Sequence, residues 1–115
     1  MNETNITTAE AYYQGFNDND IAAIGNCLDP AVQFIAPMGD LSGKDAVLEA
    51  AKRHLLILKN IKIREKFSSG DKVMLVYDLT FGSASAICPT AVLMQFKDKL
   101  ITRLELYYDA RQFVK

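Results

Sequence analysis

The sequence predicts an α+β fold, with helices first and antiparallel strands afterwards, the helices packed on one face of a curved sheet. Two observations carry this. Apolar residues recur at helical spacing through Leu58, and after Asn60 the period changes to two. A third sets the scale: 115 residues, without repeat, linker or low-complexity stretch, fit a single domain over residues 1–115. Half of the residues are hydrophobic, and 13 Lys and Arg against 14 Asp and Glu leave a net charge of −1. That balance argues against a nucleic-acid partner, which selects a basic excess. No apolar run approaches the ~20 residues of a membrane span, and the opening MNETNITTAE is the polar, acidic reverse of a signal peptide. The expectation is a cytoplasmic domain with no membrane partner.

Thr7-Thr8-Ala9-Glu10 reads as a capping box, Thr7 as N-cap and Glu10 reaching back. The helix it opens carries Ala9, Tyr12, Tyr13 and Phe16 on one side and stops at Asn17-Asp18-Asn19-Asp20. Asp20 caps a short second helix whose Ile21, Ile24 and Leu28 share a face, and Asp29-Pro30 ends it. A short strand over 31–36 closes on Pro37-Met38-Gly39-Asp40. Ser42-Gly43-Lys44-Asp45 leads into a third helix with Val47, Ala51, Leu55 and Leu58 on its buried stripe. Four strands follow, over 61–67, 72–81, 88–96 and 100–108. They are joined by Ser68-Ser69-Gly70-Asp71, a small-residue loop over 82–86, and Lys97-Asp98-Lys99.

Both faces of the long strands are informative. Val73, Leu75, Tyr77, Leu79 and Phe81 alternate with Met74, Val76, Asp78 and Thr80. Val92, Met94 and Phe96 alternate with Ala91, Leu93 and Gln95, and Leu104, Leu106 and Tyr108 with Arg103, Glu105 and Tyr107. A sheet with a wet back carries a polar second face. Met74, Val76, Leu93 and Tyr107 break that rule, so the second face reads as a dimer surface, or else as a strand covered by its own chain. Asp78 and Arg103 on this face are placed to pair across the interface or within one sheet. Lys62, Arg64 and Lys66 read as a charged, protected sheet edge. Cys27 and Cys88 lie far apart with no CxxC and a single His in the whole chain, so buried reduced thiols are expected rather than a metal site. No cofactor is expected.

Five segments resemble the SnoaL-like, nuclear transport factor 2-like superfamily, in order and spacing, over essentially the whole chain. They are Tyr12-Tyr13-Gln14-Gly15-Phe16-Asn17-Asp18-Asn19-Asp20, Phe34-Ile35-Ala36-Pro37, Gly43-Lys44-Asp45, Gly70-Asp71-Lys72-Val73 and Tyr107-Tyr108-Asp109-Ala110-Arg111-Gln112-Phe113. The last is also similar to the close of the limonene-epoxide hydrolase type. The resemblance implies a cone-shaped curved antiparallel sheet wrapped around the N-terminal helices, a cystatin-like α+β barrel. It implies an apolar pocket open at one end, and a homodimer through the outer face of the sheet. The superfamily hosts ketosteroid isomerases, polyketide cyclases, epoxide hydrolases, dehydratases and non-catalytic binding modules, so the fold leaves the chemistry to the pocket residues.

Carried over position by position, Tyr12 matches the oxyanion tyrosine of the ketosteroid isomerase type. The base position before Pro37 is Ala36, and the second donor falls near Val92. The strand positions of the epoxide hydrolase triad correspond to Tyr77, Leu79 and Leu106, and a cyclase acid also falls at or near Leu106. Methyl groups move no protons, and a slip of one residue puts Asp78 or Glu105 on the outer face. The inward polar set is Tyr12, Tyr77, Tyr108 and Thr90, with His54 and Glu65 as catalytic candidates. His54, the only imidazole, titrates near neutrality and lies at the edge of its helix stripe, where a carbonyl or water also satisfies it. Glu65 shares the alternation face of Ile61, Ile63 and Phe67 and is either a buried base or a solvated carboxylate paired with a lysine.

The expected ligand site is Tyr12, Phe34, Ala36, His54, Tyr77, Leu79, Val92, Met94, Leu106 and Tyr108, holding a small apolar molecule through tyrosine hydroxyls. The alternatives are an isomerase, lyase or hydrolase using His54 or Glu65 with a tyrosine donor, and a ligand-free dimerisation module. The last requires Leu79, Leu106 and Met94 to fill the cone.

Overall fold

A computed structural model describes residues 2–82 and 86–113 of the chain. Helix α1 runs over Asn2–Asn17, α2 over Ile21–Asn26 and α3 over Lys44–Leu55. The strands are β1 (Leu28–Ala36), β2 (Gly39–Ser42), β3 (Leu58–Ser69), β4 (Lys72–Phe81), β5 (Ala86–Lys97) and β6 (Leu100–Tyr108). A short 3-10 helix over Ala110–Phe113 follows. They form one six-stranded sheet in the order β2-β1-β6-β5-β4-β3. All neighbours are antiparallel except β1 and β6, which run parallel. The sheet curls but stays open, with β2 and β3 as its edges. α1 packs on β3 and α2, and α3 on β1, so the helices close the concave side.

The sequence signals act where local chemistry dominates. Asp20 caps α2 by accepting from the Ala23 amide at 3.1 Å. Gly15 lets α1 and α2 touch, since a Cβ there would lie 2.9 Å from Ile24 Cγ1. Asn17, the last residue of α1, clamps that helix to β3. Its amide donates to the Ile61 carbonyl at 2.9 Å and its side-chain oxygen accepts from the Ile61 amide at 2.7 Å.

Several boundaries differ from expectation. α1 starts at Asn2, so Thr7 lies inside the helix instead of capping it, and the Thr8 hydroxyl donates to the Thr4 carbonyl at 3.2 Å. Leu28 and Leu58 leave the helix faces and open β1 and β3, because α2 and α3 end before them. Leu28 pairs with Ile101 on β6, and Pro30 falls in the register break between Leu28 and Gln33, where no ladder donor is needed. Residues 39–42, after the turn at Pro37, pair back on β1 as an additional strand. The small-residue loop over 82–86 lies partly outside the described residues, at 83–85.

The closed end of the cone is tightly packed. Val73, Leu75, Val92, Met94, Ile101 and Leu104 have no exposed surface. The convex face keeps its apolar character: Phe67, Ile87 and Tyr107 are 58%, 57% and 53% exposed, beside half-buried Met74, Val76 and Leu93. Its charges pair within the sheet, Arg64 with Asp78 and Arg103 with Glu105, each at 3.1 Å. Lys66 reaches Glu10 on α1 at 2.9 Å. Cys27 and Cys88 are buried free thiols.

Candidate functional site

The open end of the cone holds a cavity of about 300 Å³, within the usual range for small-molecule sites. Helical spacing puts Tyr12, Tyr13 and Phe16 of α1 over it. Their rings interlock: Tyr12 meets Tyr13 edge-on at 4.9 Å and Phe16 at 5.2 Å, and Tyr13 lies 4.6 Å from Tyr77 of β4. Across the sheet, Tyr77, Thr90 and Tyr108 stand in register on β4, β5 and β6, a polar row along the cavity wall. Phe34, Ala36 and Leu41 from the β1–β2 hairpin, with Leu79 and Leu106, supply the apolar wall.

These tyrosines are donors rather than bases. Burial, and then mutual repulsion between the would-be phenolates, pushes Tyr12 and Tyr13 far above the ordinary range. Burial pushes Tyr77 up as well, opposed in part by hydrogen bonding from the Tyr13 hydroxyl. Thr90 is anchored, its hydroxyl donating to the Cys88 carbonyl at 3.2 Å. Among the described residues no fully buried side-chain oxygen or nitrogen lacks a partner, so tyrosine hydroxyls not paired within the fold open on the cavity.

His54 stands at the mouth, exposed on one side. Desolvation, followed by the neighbouring Arg53 charge, lowers its pKa, so the neutral imidazole prevails at pH 7. Tyr12, Phe34, Ala36, Tyr77, Leu79, Leu106 and Tyr108 also line the cavity.

Val92 and Met94 do not. Val92 sits opposite Leu75 and Leu106, and Met94 opposite Val73 and Leu104, one and two side-chain steps below the Tyr77–Thr90–Tyr108 row. Each step is about 7 Å, so both belong to the packed end. Glu65 is also absent from the cavity. A bulge in β3 between Ile63 and Glu65 adds Arg64 as an extra residue, so Glu65 opposes Val76 and Phe67 opposes Met74, on the outer face. Glu65 is exposed there. Alternation alone set it beside Ile61 and Ile63, and a bulge reverses that phase.

The sequence reading missed Arg53, Met38, Ile57 and Asp40, all at the mouth. They lie at helix or strand ends and in turns, where periodicity gives no direction. Asp40 pairs with Ile35, out of phase with the Phe34–Leu41 pair beside it. No group of three or more His, Cys, Asp or Glu side chains able to hold a metal occurs among the described residues. No described helix is long and apolar enough to cross a membrane.

The family model of the SnoaL-like domain matches residues 9–104. No curated protein sequence matches the chain. Among solved structures, a protein from Kribbella flavida DSM 17836 superposes with a TM-score of 0.86 at 23% identity, over 93% of this chain and 88% of that one. An NTF2-like protein of unknown function from Cytophaga hutchinsonii ATCC 33406 gives 0.85 at 20% identity, over 96% and 95%. TerC, co-crystallised with polyporic acid, gives 0.82 at 24% identity, over 96% and 95%. These likenesses show a shared fold.

Proposed function

The chain belongs to the SnoaL-like family, and from that premise we propose that it binds a small hydrophobic molecule in the open end of its cone. The observation that carries this is the chamber itself: about 300 Å³ walled by aliphatic and aromatic groups, with protonated tyrosine hydroxyls as its main polar features. Such donors suit a ligand carbonyl or hydroxyl. The family positions for acid and base chemistry are Ala36, Tyr77, Leu79 and Leu106, none able to take a proton near neutral pH. A ligand-free module accords less well, because Leu79 and Leu106 border open space instead of filling it. An enzymatic reading keeps one supporting observation: His54, neutral at pH 7, lies at the mouth as a potential base, whereas Glu65 lies elsewhere.

A thermal-shift panel of sterols, fatty alcohols and aromatic phenols tests the binding reading. Stabilisation by at least one class is expected, with Tyr12→Phe or Tyr77→Phe shrinking the shift while leaving the unliganded Tm nearly unchanged. Silence across the panel would sink it.

We further propose a homodimer through the convex face, where Phe67, Met74, Val76, Leu93 and Tyr107 form an apolar surface laced with ion pairs. Light scattering should give twice the chain mass, and Leu93→Glu should give a folded monomer. A wild-type monomer at micromolar concentration would refute it. A cytoplasmic setting fits the two free thiols.

A further inference from the structure

The mouth of the cavity is chemically one-sided. Arg53 and His54 reach it from the last turn of α3, beside Ile57 and Met38, which are 48% and 55% exposed. Arg53 makes no ion pair among the described residues. The carboxylate one helical turn before it, Glu49, is held by Lys52 at 2.9 Å. Asp40, also at the mouth, lies on the strand opposite Ile35 and is not within ion-pair distance of Arg53.

A cation in the last turn is favoured by the helix dipole, which is the ordinary reason for Arg53. That dipole amounts to roughly half a negative charge, so a whole guanidinium charge leaves the last turn net positive. The guanidinium also presents paired N–H donors in the planar geometry that matches a carboxylate. Beneath it lies an aromatic chamber in which Tyr12, Tyr13 and Tyr77 stay protonated and so carry no charge to repel an anion.

We propose, on the reading of this cavity as a ligand site, that its occupant is a hydrophobic monocarboxylic acid. The apolar body fills the aromatic chamber and the carboxylate rests at the mouth on the Arg53 guanidinium. Met38 and Ile57 cover the first carbons below the head group.

The test is calorimetric titration of the full chain with 4-phenylbutyrate and with its amide, 4-phenylbutanamide, a pair that differs in charge far more than in shape. Near neutral pH and at low salt the acid is expected to bind about fivefold more tightly, the upper range for a solvent-accessible ion pair. High salt should shrink that preference. Arg53→Gln, an exposed substitution whose folding circular dichroism verifies, should bring the acid down to the affinity of the amide. Equal affinity for acid and amide in the wild-type chain overturns the carboxylate assignment alone, as does an equal loss of both in Arg53→Gln. If neither probe binds but a neutral member of the thermal-shift panel does, the carboxylate assignment again falls alone. If nothing binds at all, the ligand reading falls with it.

Discussion

The two ends of the cone are built from the same strands and differ in how completely they are filled. At the closed end, Val73, Leu75, Val92, Met94 and Leu104 interdigitate with no exposed surface. Two residues further along β4, β5 and β6, the row Tyr77, Thr90 and Tyr108 borders open space. One strand therefore serves stability at one end and recognition at the other. The changeover occurs within about 7 Å.

Truncation at each end should separate these roles most strongly. Met94→Ala is expected to cost about 2–5 kcal/mol, the range for a large side chain removed from a filled core. Leu79→Ala, which enlarges a space already open, should cost no more than about half as much. Urea denaturation of both variants checks the contrast, and equal costs would mean that the chamber is filled in solution.

A smaller loss is expected where the helical roof meets the sheet. Asn17→Ala leaves the Ile61 amide and carbonyl without their side-chain partner and should cost about 1–2 kcal/mol. Hydrogen exchange at the Ile61 amide should accelerate by more than at the Leu75 amide. Unchanged exchange would show that the clamp is not what holds α1 over the chamber.

The smallest effect is electrostatic and belongs to the mouth. Folding lowers the His54 pKa from its ordinary 6.5, so the unfolded chain takes up the proton first as pH falls. Stability from the neutral imidazole is therefore fully present above 6.5 and declines as pH drops through the lowered folded value. His54→Asn should flatten that part of the stability–pH curve. A curve of the same shape in wild type and variant would assign the slope to other groups.

Much of the closed end was legible because it rests on strict alternation. Val73, Leu75, Met94 and Leu104 follow the period-two pattern, and β4 and β6 occupy the residues that pattern indicates. What alternation cannot supply is depth. It assigns Val92 and Met94 to the inner face correctly, yet the distance of each from the mouth depends on the register between strands, which no single strand encodes. Glu65 failed for a related reason. The bulge at Arg64 leaves no mark in composition, and the run from Ile61 to Phe67 reads as unbroken. The mouth residues Met38, Arg53 and Ile57 come together only through the β1–β2 hairpin and the end of α3, contacts between segments far apart in the chain. The N-terminal turns of α1 are polar, so they carried no apolar stripe to extend the helix back from Thr7.

The bulge in β3 has a consequence for what changes this chain can absorb. With Arg64 inserted, the strand presents Ile61 and Ile63 to the inner side of the sheet and Phe67 to the opposite surface. A ladder that absorbed Arg64 as an ordinary paired residue would set Glu65 against Leu75 and Phe67 against Val73. Both side chains would then turn inward, and the convex face would lose an apolar contribution. Deleting Arg64 would instead leave a regular ladder with every other residue on its present face. The edge strand thus tolerates the loss of its extra residue but not its absorption into the pairing.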